Sequence, residues 1–471
     1  MRRLLPFAAV LLLPALAAAA APAAPGSEPG PTLFAVRRAK LLSKLPAGAV
    51  AILHAAPESA GGRESYRQDS GFWYLTGFPE PEAVAVLAPG APEGKRYTLF
   101  VRPKEWEREQ WTGYRAGPDG AKATYAADEA FPVEEFSKQL GDLLRDATSL
   151  WVLDGGDTKF RDTLVSGWSR RAALEKGSLP LYDLAPTVAD LRLVKDGAEI
   201  ALLRQAVALT VNAHRAAMRL AQPGNGEWVL AGAMVGTCLS GGAARMAYPP
   251  IVGSGPNSVV LHYDASSRVL KAGDMIVNDT ACEVGMYAAD VTRSYPAGGT
   301  FSPQQKAIYE IVLKAQKAAQ AKAAPGVEMR ELYDATVDVI VDGLLSLGLL
   351  SGDKAEIVAR RSYRTFYPHG SSHWLGLDVH DAGSYESERI PPETPPHMRR
   401  FAPAHAKLRP GMAFTIEPGI YIPEKAEGVD PKWWNIGVRI EDDFLVTSRG
   451  VDCLSCALPR EIAELKKAIR R

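Results

Sequence analysis

Cysteine is scarce in this sequence, with four residues in a chain of 471. A chain of this length with so few cysteines is not a small scaffold built on disulfides. Cys453 and Cys456 form a CxxC pair, which fits a redox pair, half of a zinc site or a local disulfide. We favour an incidental pair or a surface disulfide, because the sequence has no second CxxC. Cys238 and Cys282 stand among apolar residues and are expected to be small core residues.

A surplus of charge of either sign is also missing. The 54 lysines and arginines balance the 54 aspartates and glutamates, so the formal net charge is zero. A chain without a basic surplus has no electrostatic footprint for a polyanion, so we do not expect nucleic acid as a partner. Its 46% apolar content gives it enough material for a substantial core, which argues against a disordered chain.

Only one long apolar run occurs, from Leu4 to Leu16, after two arginines and before small residues. This order predicts a secretory signal peptide over residues 1–25, and hence a protein exported to the periplasm or secreted. The two arginines also fit a twin-arginine signal. A membrane anchor is the alternative, but Pro6 and Pro14 interrupt a run that is already short for a bilayer. Residues 22–31 then form a linker rich in proline, glycine and alanine.

Two folded domains are expected after this linker. In residues 32–185, short β-rich runs such as AVAIL and YTLFV alternate with amphipathic stretches, which predicts an N-terminal α/β domain. In residues 186–471, long helical patterns alternate with strand-like segments that carry acidic residues. The fold class is therefore α/β (α+β), with the chemistry expected in the second domain.

Several helices of the second domain have recognisable ends. Asp196, with a glutamate three residues on, fits a capping box that starts a long helix ending before Pro223. Ser302 is followed by proline and then glutamine, which predicts a second helix start of the same kind. Further helices are predicted over 329–347 and from Pro459.

A first pair of carboxylates is predicted within residues 275–295, MIVNDTACEVGMYAADVTRSY. Two β-rich runs are expected to fold back at a turn centred on Val284 and Gly285. Such a turn would set Asp279 directly opposite Asp290, with their Cβ atoms about 5 Å apart. Two carboxylates at that distance repel each other unless a cation or a proton lies between them.

A second pair is predicted near the C-terminus. Glu417 and Glu441 each end an apolar run, and pairing that is symmetric about Val429 would place them face to face. Acidic residues that emerge from apolar strands are rarely left buried and unpaired. Four carboxylates and one imidazole suit two divalent ions, and hard oxygen ligands favour manganese or cobalt over a thiolate zinc site.

The imidazole is expected from HGSSHWLGLDVHD, residues 369–381, which holds three of the eight histidines. His369 and His373 are an even number of residues apart, whereas His380 is an odd number from both. On a regular strand this would divide them between two faces, although the glycines permit bends. One metal ligand and two histidines that face the substrate is a reasonable division that the spacing alone does not fix.

Six stretches together resemble the creatinase/aminopeptidase "pita-bread" metallopeptidase family, and within it the Xaa-Pro aminopeptidases, also called the aminopeptidase P family. The second domain carries five of them, and the first lies in the N-terminal domain. They are YRQDSGFWYLTGFPEPEA, IVGSGPNSVVLHY, DTACEVGMYAADVTRSYP, HGSSHWLGLDVHD, GMAFTIEPGIYI and GVRIEDD.

The resemblance implies a metal-dependent aminopeptidase that removes the residue before a proline at the second position. It implies a dinuclear centre, usually of manganese, with cobalt or zinc as alternatives, and with Asp290 and Glu441 bridging the ions. The ligands it implies are Asp279, Asp290, His373, Glu417 and Glu441. It also places His262, His369 and His380 in the substrate site. Arg439 is implied to contact the metal ligands without binding metal itself. We expect Glu417 to move the proton, and the three substrate-site histidines to assist catalysis.

Some features leave alternatives open. Asp279, the first implied ligand, is followed by Thr280 and Ala281 instead of the family's usual Ala-Gly. In addition, the proline-rich segment 385–402 makes the connection before Glu417 longer than is usual in the family. A prolidase of the same fold is the nearest alternative, and a non-catalytic peptide-binding relative or a cofactor-free amidinohydrolase are more remote ones. The family also implies a homodimer or homotetramer, for which Trp111 is a candidate contact.

Overall fold

The computed structural model describes residues 30–58, 66–171, 179–385 and 405–469. The predicted signal peptide and nearly all of the linker lie outside the described residues, as does the proline-rich segment from residue 386 on. Within the described ranges, no helix combines the length and the apolar character needed to cross a membrane.

The N-terminal half is built on a six-stranded mixed sheet in the order β4-β3-β2-β1-β5-β6. Alternate residues of its central strand β1 pack into two different cores, Ala51 and Leu53 into one and Val50 and Ile52 into the other. The predicted α/β layering is therefore present. The elements are α1 (Pro31–Leu42), β1 (Ala49–His54), α2 (Ser70–Thr76), β2 (Val84–Leu87), β3 (Tyr97–Val101), α3 (Trp106–Thr112), α4 (Gly117–Tyr125), β4 (Glu129–Pro132), α5 (Phe136–Leu143), β5 (Ser149–Leu153), α6 (Thr158–Arg171), β6 (Leu181–Asp183) and α7 (Ala185–Leu193).

The C-terminal half places small antiparallel sheets against long helices. Val211, Val312 and Ile340 of three helices share one core with Met275 and Ile420 of the strands. The sheets are β8-β9-β12, β7-β10-β11, β13-β16-β17 and β14-β15. The elements are α8 (Gly197–Arg219), α9 (Glu227–Ser240), β7 (Arg245–Met246), β8 (Ile251–Ser254), β9 (Met275–Asp279), β10 (Cys282–Val284), β11 (Tyr287–Ala288), β12 (Thr292–Pro296), α10 (Pro303–Lys322), α11 (Met329–Ser346), α12 (Lys354–Arg360), β13 (Ala413–Ile416), β14 (Gly419–Ile422), β15 (Ile436–Arg439), β16 (Asp442–Thr447), β17 (Gly450–Cys453) and α13 (Ile462–Ile469).

The predicted helix starts at Asp196 and Ser302 are confirmed. Each side chain accepts a backbone N–H of the first turn, and the glutamate or glutamine three residues on returns a hydrogen bond to the cap. The terminal helix begins at Ile462, so the predicted start at Pro459 is wrong. The carbonyl of Pro459 accepts a hydrogen bond from the Arg293 side chain at 3.0 Å and is held outside the helix.

The first hairpin differs from its prediction by one residue in the position of the turn. Val284 pairs with Tyr287, so the two turn residues are Gly285 and Met286, with φ of 55° and 72°. A β-branched valine is strained at positive φ, which explains why the turn avoids Val284. Farther along the same hairpin Asp279 pairs with Thr292, so the predicted direct pairing of Asp279 with Asp290 is wrong.

The second predicted register is confirmed. Gly419 pairs with Arg439 in the β14-β15 ladder, and Ile416 pairs with Asp442 in the β13-β16 ladder. Both pairs are symmetric about Val429. Glu417 and Glu441 lie in the short break between the two ladders, on opposite strands of the same ribbon.

Disulfides join all four cysteines. Cys238 and Cys282 are fully buried, as expected of core residues, but the structure pairs them across 44 residues and so joins α9 to β10. That pairing corrects the expectation of two separate small core side chains. Cys453 and Cys456 form the local disulfide that was one interpretation of the CxxC.

Candidate metal centre

Asp279 and Asp290 meet through a tyrosine that the sequence did not single out. Asp279 ends β9, and Asp290 lies between β11 and β12. The hydroxyl of Tyr248 lies 2.6 Å from Asp279 Oδ1 and 2.7 Å from Asp290 Oδ1. A phenol has one proton, so Tyr248 cannot donate to both carboxylates at once. The two aspartates therefore converge, although they are not cross-strand partners.

Glu417 and Glu441 extend the acidic cluster from the C-terminal ribbon. Glu441 Oε2 accepts the Thr292 hydroxyl at 2.7 Å, and the Glu441 N–H donates to the Thr292 carbonyl at 3.1 Å. The Glu417 N–H donates to the carbonyl of Ser371 at 2.8 Å. The ribbon is thus fastened both to the first hairpin and to the histidine-rich segment.

His373 lies among these carboxylates. Its Nε2 is 3.3 Å from Asp290 Oδ2, 3.8 Å from Glu441 Oε1 and 3.9 Å from Glu417 Oε1. Its Nδ1 lies 3.0 Å from the carbonyl of Trp374. A carbonyl only accepts hydrogen bonds, so the proton is on Nδ1, and in the neutral ring the lone pair of Nε2 points at the acidic cluster.

The donor set fits divalent metal ions. Among the described residues, Asp290, His373 and Glu441 are all buried, and one ligand atom of each lies within 4.8 Å of the others. Burial and the neighbouring carboxylates raise the pKa of Asp290, and they raise the pKa of Glu441 well above its usual range. Burial opposes the charged form of His373, but Asp290 outweighs it and raises the pKa of the imidazole to about 9. Such crowded carboxylates are stabilised by protons or by bound cations.

Arg439 lies behind the cluster. Its guanidinium donates to Asp279 Oδ2 at 2.6 Å and to the Tyr421 hydroxyl at 2.7 Å. Tyr421 in turn lies 2.9 Å from His369 Nε2, and His369 Nδ1 lies 2.7 Å from the carbonyl of Gly370. Burial and the nearby arginine lower the pKa of His369 to about 3, so this imidazole is neutral. No local pattern around Tyr421 predicted this role.

The remaining histidines lie at the exposed side of the cluster. His380 is exposed and stacks on His373. His262 is also exposed and lies close enough to lower the pKa values of both His369 and His380. The structure thus brings His262, His369, His373 and His380 together. His373 lies near three carboxylates, and His369 lies near Glu417.

Two family models match the chain. Aminopeptidase P, N-terminal domain, matches residues 34–152, and Metallopeptidase family M24 matches residues 201–448. The chain belongs to metallopeptidase family M24. The family predicted from the sequence motifs is therefore confirmed, together with its two-part architecture.

Relatives within family M24 resemble the chain over nearly its whole length. The Xaa-Pro aminopeptidase of Escherichia coli is 37% identical over 451 residues, which cover 93% of this chain and 98% of that protein. The Xaa-Pro aminopeptidase of Haemophilus influenzae is 36% identical, covering 92% and 96%.

Solved structures of the family agree with this fold. Aminopeptidase PepP of Pseudomonas aeruginosa has a TM-score of 0.87 and 40% identity, covering 94% of this chain and 98% of that one. E. coli aminopeptidase P with the inhibitor Pro-Leu has a TM-score of 0.86 and 36% identity, covering 94% and 99%.

Proposed function

We propose that the protein is an Xaa-Pro aminopeptidase, a metal-dependent hydrolase that releases the first residue of a peptide whose second residue is proline. The observation that carries this function is the convergence of three carboxylates, Asp290, Glu417 and Glu441, on His373. Asp279 joins them through the hydroxyl that Tyr248 shares between Asp279 and Asp290. This convergence occurs in a chain that matches Xaa-Pro aminopeptidases over more than nine-tenths of its length.

Five residues would hold two divalent ions. Asp290 and Glu441 are the most deeply buried carboxylates of the set, and both lie beside His373. The ligands are Asp279, Asp290, His373, Glu417 and Glu441. When bound, the ions would activate a water molecule and polarise the carbonyl of the bond to be cleaved.

Glu417 is the proposed proton carrier. Burial raises the pKa of its carboxyl group to about 7, even though His373 and Arg439 favour the charged form. A carboxyl group placed beside the substrate histidines can accept a proton and return it. Its Oε2 lies 3.6 Å from His369 Nδ1, at the side of the cluster where the substrate histidines lie.

Three histidines would bind the substrate. His369 has a pKa lowered to about 3, and the neighbouring His373 and burial lower that of His380 to about 4. Neutral imidazoles can donate a hydrogen bond to a peptide carbonyl without adding charge to the site. His262 completes the set on the exposed side, and Arg439 orients Asp279 from behind.

Specificity for proline gives the decisive experiment. A proline at the second position has no N–H and a fixed φ, so a selective enzyme must accept a rigid tertiary amide. Purified protein with Mn²⁺ should release arginine from Arg-Pro-Pro and leave Arg-Ala-Pro intact. Cleavage of Gly-Pro without cleavage of Arg-Pro-Pro would instead identify the prolidase. A non-catalytic relative would cleave neither, but all five predicted ligand positions carry metal-binding side chains in this chain.

Manganese is the metal we propose, because four of the five ligands are carboxylates and hard cations prefer oxygen. A zinc-substituted E. coli aminopeptidase P has been solved with product, so zinc is a relevant comparison. Elemental analysis of the purified protein, with activity measured after chelation and after Mn²⁺, Co²⁺ or Zn²⁺ addition, tests the assignment.

We propose export to the periplasm or outside the cell on the strength of residues 1–25. Two disulfides among the described residues support an oxidising compartment.

We also propose a homo-oligomer, with Trp111 of α3 as a contact, because its side chain is 88% exposed. Fractionation of expressing cells and sedimentation of the purified protein test these two proposals separately.

A further inference from the structure

A disulfide closes a short loop directly after β17. We call residues Cys453 to Cys456 the 453–456 loop. Both cysteines are partly exposed, whereas Ser455 between them is fully buried. The loop therefore buries the polar side chain of Ser455, while its disulfide stays partly exposed to solvent.

Ser455 makes two hydrogen bonds to the strand that follows Glu441. Its hydroxyl donates to Asp442 Oδ1 at 2.5 Å and accepts the N–H of Asp443 at 3.0 Å. The N–H of Leu454 also donates to the Asp443 carbonyl at 2.8 Å. Asp442 and Asp443 are completely buried, and Asp442 Oδ1 also accepts the Arg293 guanidinium at 2.6 Å. Loss of the Ser455 hydroxyl would therefore remove one of two donors to that oxygen, together with the side-chain acceptor of the Asp443 N–H.

These contacts reach two proposed metal ligands. Glu441 is covalently joined to Asp442, and Asp443 Oδ2 accepts the backbone N–H of Asp290 at 3.1 Å. Ser455 thus contacts Asp442, which is the residue next to Glu441 in the chain. It is two hydrogen bonds removed from Asp290.

We propose that Ser455 is a positioning residue for Glu441 and Asp290, and that the Cys453–Cys456 disulfide holds it in place. Reduction of this disulfide then weakens metal binding. The inference rests on the proposed function of the site, because it takes Glu441 and Asp290 as metal ligands.

The reduction needs a dithiol as reductant. Two electrons and two protons pass from the dithiol to the cysteine pair, the S–S bond breaks, two thiols form, and the dithiol closes to its own disulfide. The Cys453–Cys456 pair is reached first, because Cys238 and Cys282 are fully buried.

The test is a titration of the metal-free protein with Co²⁺, followed by its visible absorption. Ser455→Ala and the double variant C453A/C456A should each raise the Co²⁺ dissociation constant at least about tenfold and alter the absorption bands. Thr447→Ala is the matched control, because its hydroxyl donates to the Gly450 carbonyl at 3.1 Å in the turn at the other end of the same β16-β17 hairpin. The control should bind Co²⁺ as the unaltered protein does.

Unchanged Co²⁺ binding and unchanged spectra in both Ser455→Ala and C453A/C456A would overturn the inference. If Ser455→Ala does not fold, unaltered protein treated with a dithiol, freed of it and titrated under nitrogen gives the same comparison. Reoxidation should then restore binding. Peptide cleavage by the untreated protein separates the two proposals: failure to cleave Arg-Pro-Pro counts against the function, whereas cleavage with unaltered Co²⁺ binding in the variants counts against the inference alone.

Discussion

The imidazole of His380 stacks on that of His373, with ring centroids 4.0 Å apart and 16° between the planes. His373 faces the carboxylates, whereas His380 covers its outer side and is exposed to solvent. This arrangement separates a histidine suited to bind metal from one suited to bind substrate.

Replacement of His380 by alanine should therefore damage turnover and spare the metal. We expect kcat/KM for Arg-Pro-Pro to fall about 10²-fold, the usual effect of losing one donor to a developing oxyanion. Metal content, measured by elemental analysis, should stay the same. Loss of metal from His380→Ala would show that this histidine is itself a ligand.

The Tyr248 hydroxyl should strengthen metal binding by orienting Asp279 and Asp290. Tyr248→Phe is expected to weaken Mn²⁺ binding by about 10- to 100-fold, measured by competition with a chelator. Tyr295→Phe is the control, because Tyr295 is also a buried tyrosine and its hydroxyl contacts Asn278 at 3.4 Å. Equal losses in the two variants would contradict a specific role for Tyr248.

Metal binding should stabilise the protein, because the ions relieve repulsion among buried carboxylates. At a free Mn²⁺ concentration 100 times the dissociation constant, linkage predicts a gain of about 2.7 kcal/mol. Glu441→Gln should abolish this gain and yet raise the Tm of the metal-free protein, since it removes one crowded carboxylate. Thermal unfolding with and without Mn²⁺ measures both effects, and a Mn²⁺ shift retained in Glu441→Gln would exclude this residue as a ligand.

Acid should destabilise the fold through His214. Its Nε2 lies 3.0 Å from the Thr280 carbonyl and 2.9 Å from that of Val291, and burial lowers its pKa from 6.5 to about 4. The unfolded chain takes up this proton first, so the contribution is complete above pH 6.5 and is lost as the pH falls toward 4. The loss is roughly 3 kcal/mol.

His214→Gln keeps an N–H donor but does not titrate. Urea unfolding of this variant should show a shallower decline in the free energy of unfolding between pH 6.5 and pH 4 than the unaltered protein. Identical slopes would mean that other groups cause the acid sensitivity.

The two disulfides should differ in their effect on global stability. The Cys238–Cys282 bond closes a loop across 44 residues, and the loss of this constraint on the unfolded chain costs about 4 kcal/mol. The Cys453–Cys456 bond spans only three positions and restricts the unfolded chain far less. Urea midpoints of C238A/C282A and C453A/C456A compare them, and equal midpoints would contradict this account.

Local sequence signals correctly predicted the long helices and the strand register that places Glu417 opposite Glu441. Asp196 and Ser302 carry capping information in neighbouring residues, and the symmetry about Val429 follows from two regular strands. The first hairpin failed because a shift of its turn by a single residue changes every cross-strand partner. The turn position depends on which residue tolerates positive φ, and Gly285 can occupy either place of a two-residue turn.

Contacts between distant parts of the chain could not be predicted. Tyr248 precedes Asp279 by 31 residues and Asp290 by 42, and no spacing rule connects a tyrosine there to the aspartates. The pairing of Cys238 with Cys282 is likewise a product of the folded arrangement of α9 and β10. The roles of the five ligand residues stay predictions, which the metal experiments above test.

Glu417 and Glu441 lie in register on the ribbon formed by β13-β14 and β15-β16. A deletion in the paired strands of this ribbon should therefore have a different effect from a deletion in the connection between them. A one-residue deletion within Gly419–Ile422 would move Glu417 by one pleat and turn its carboxylate to the opposite face. The same deletion between residues 423 and 435 would fall in the connection, outside the paired strands, and leave both glutamates in place. Length variation among relatives should therefore collect in that connection.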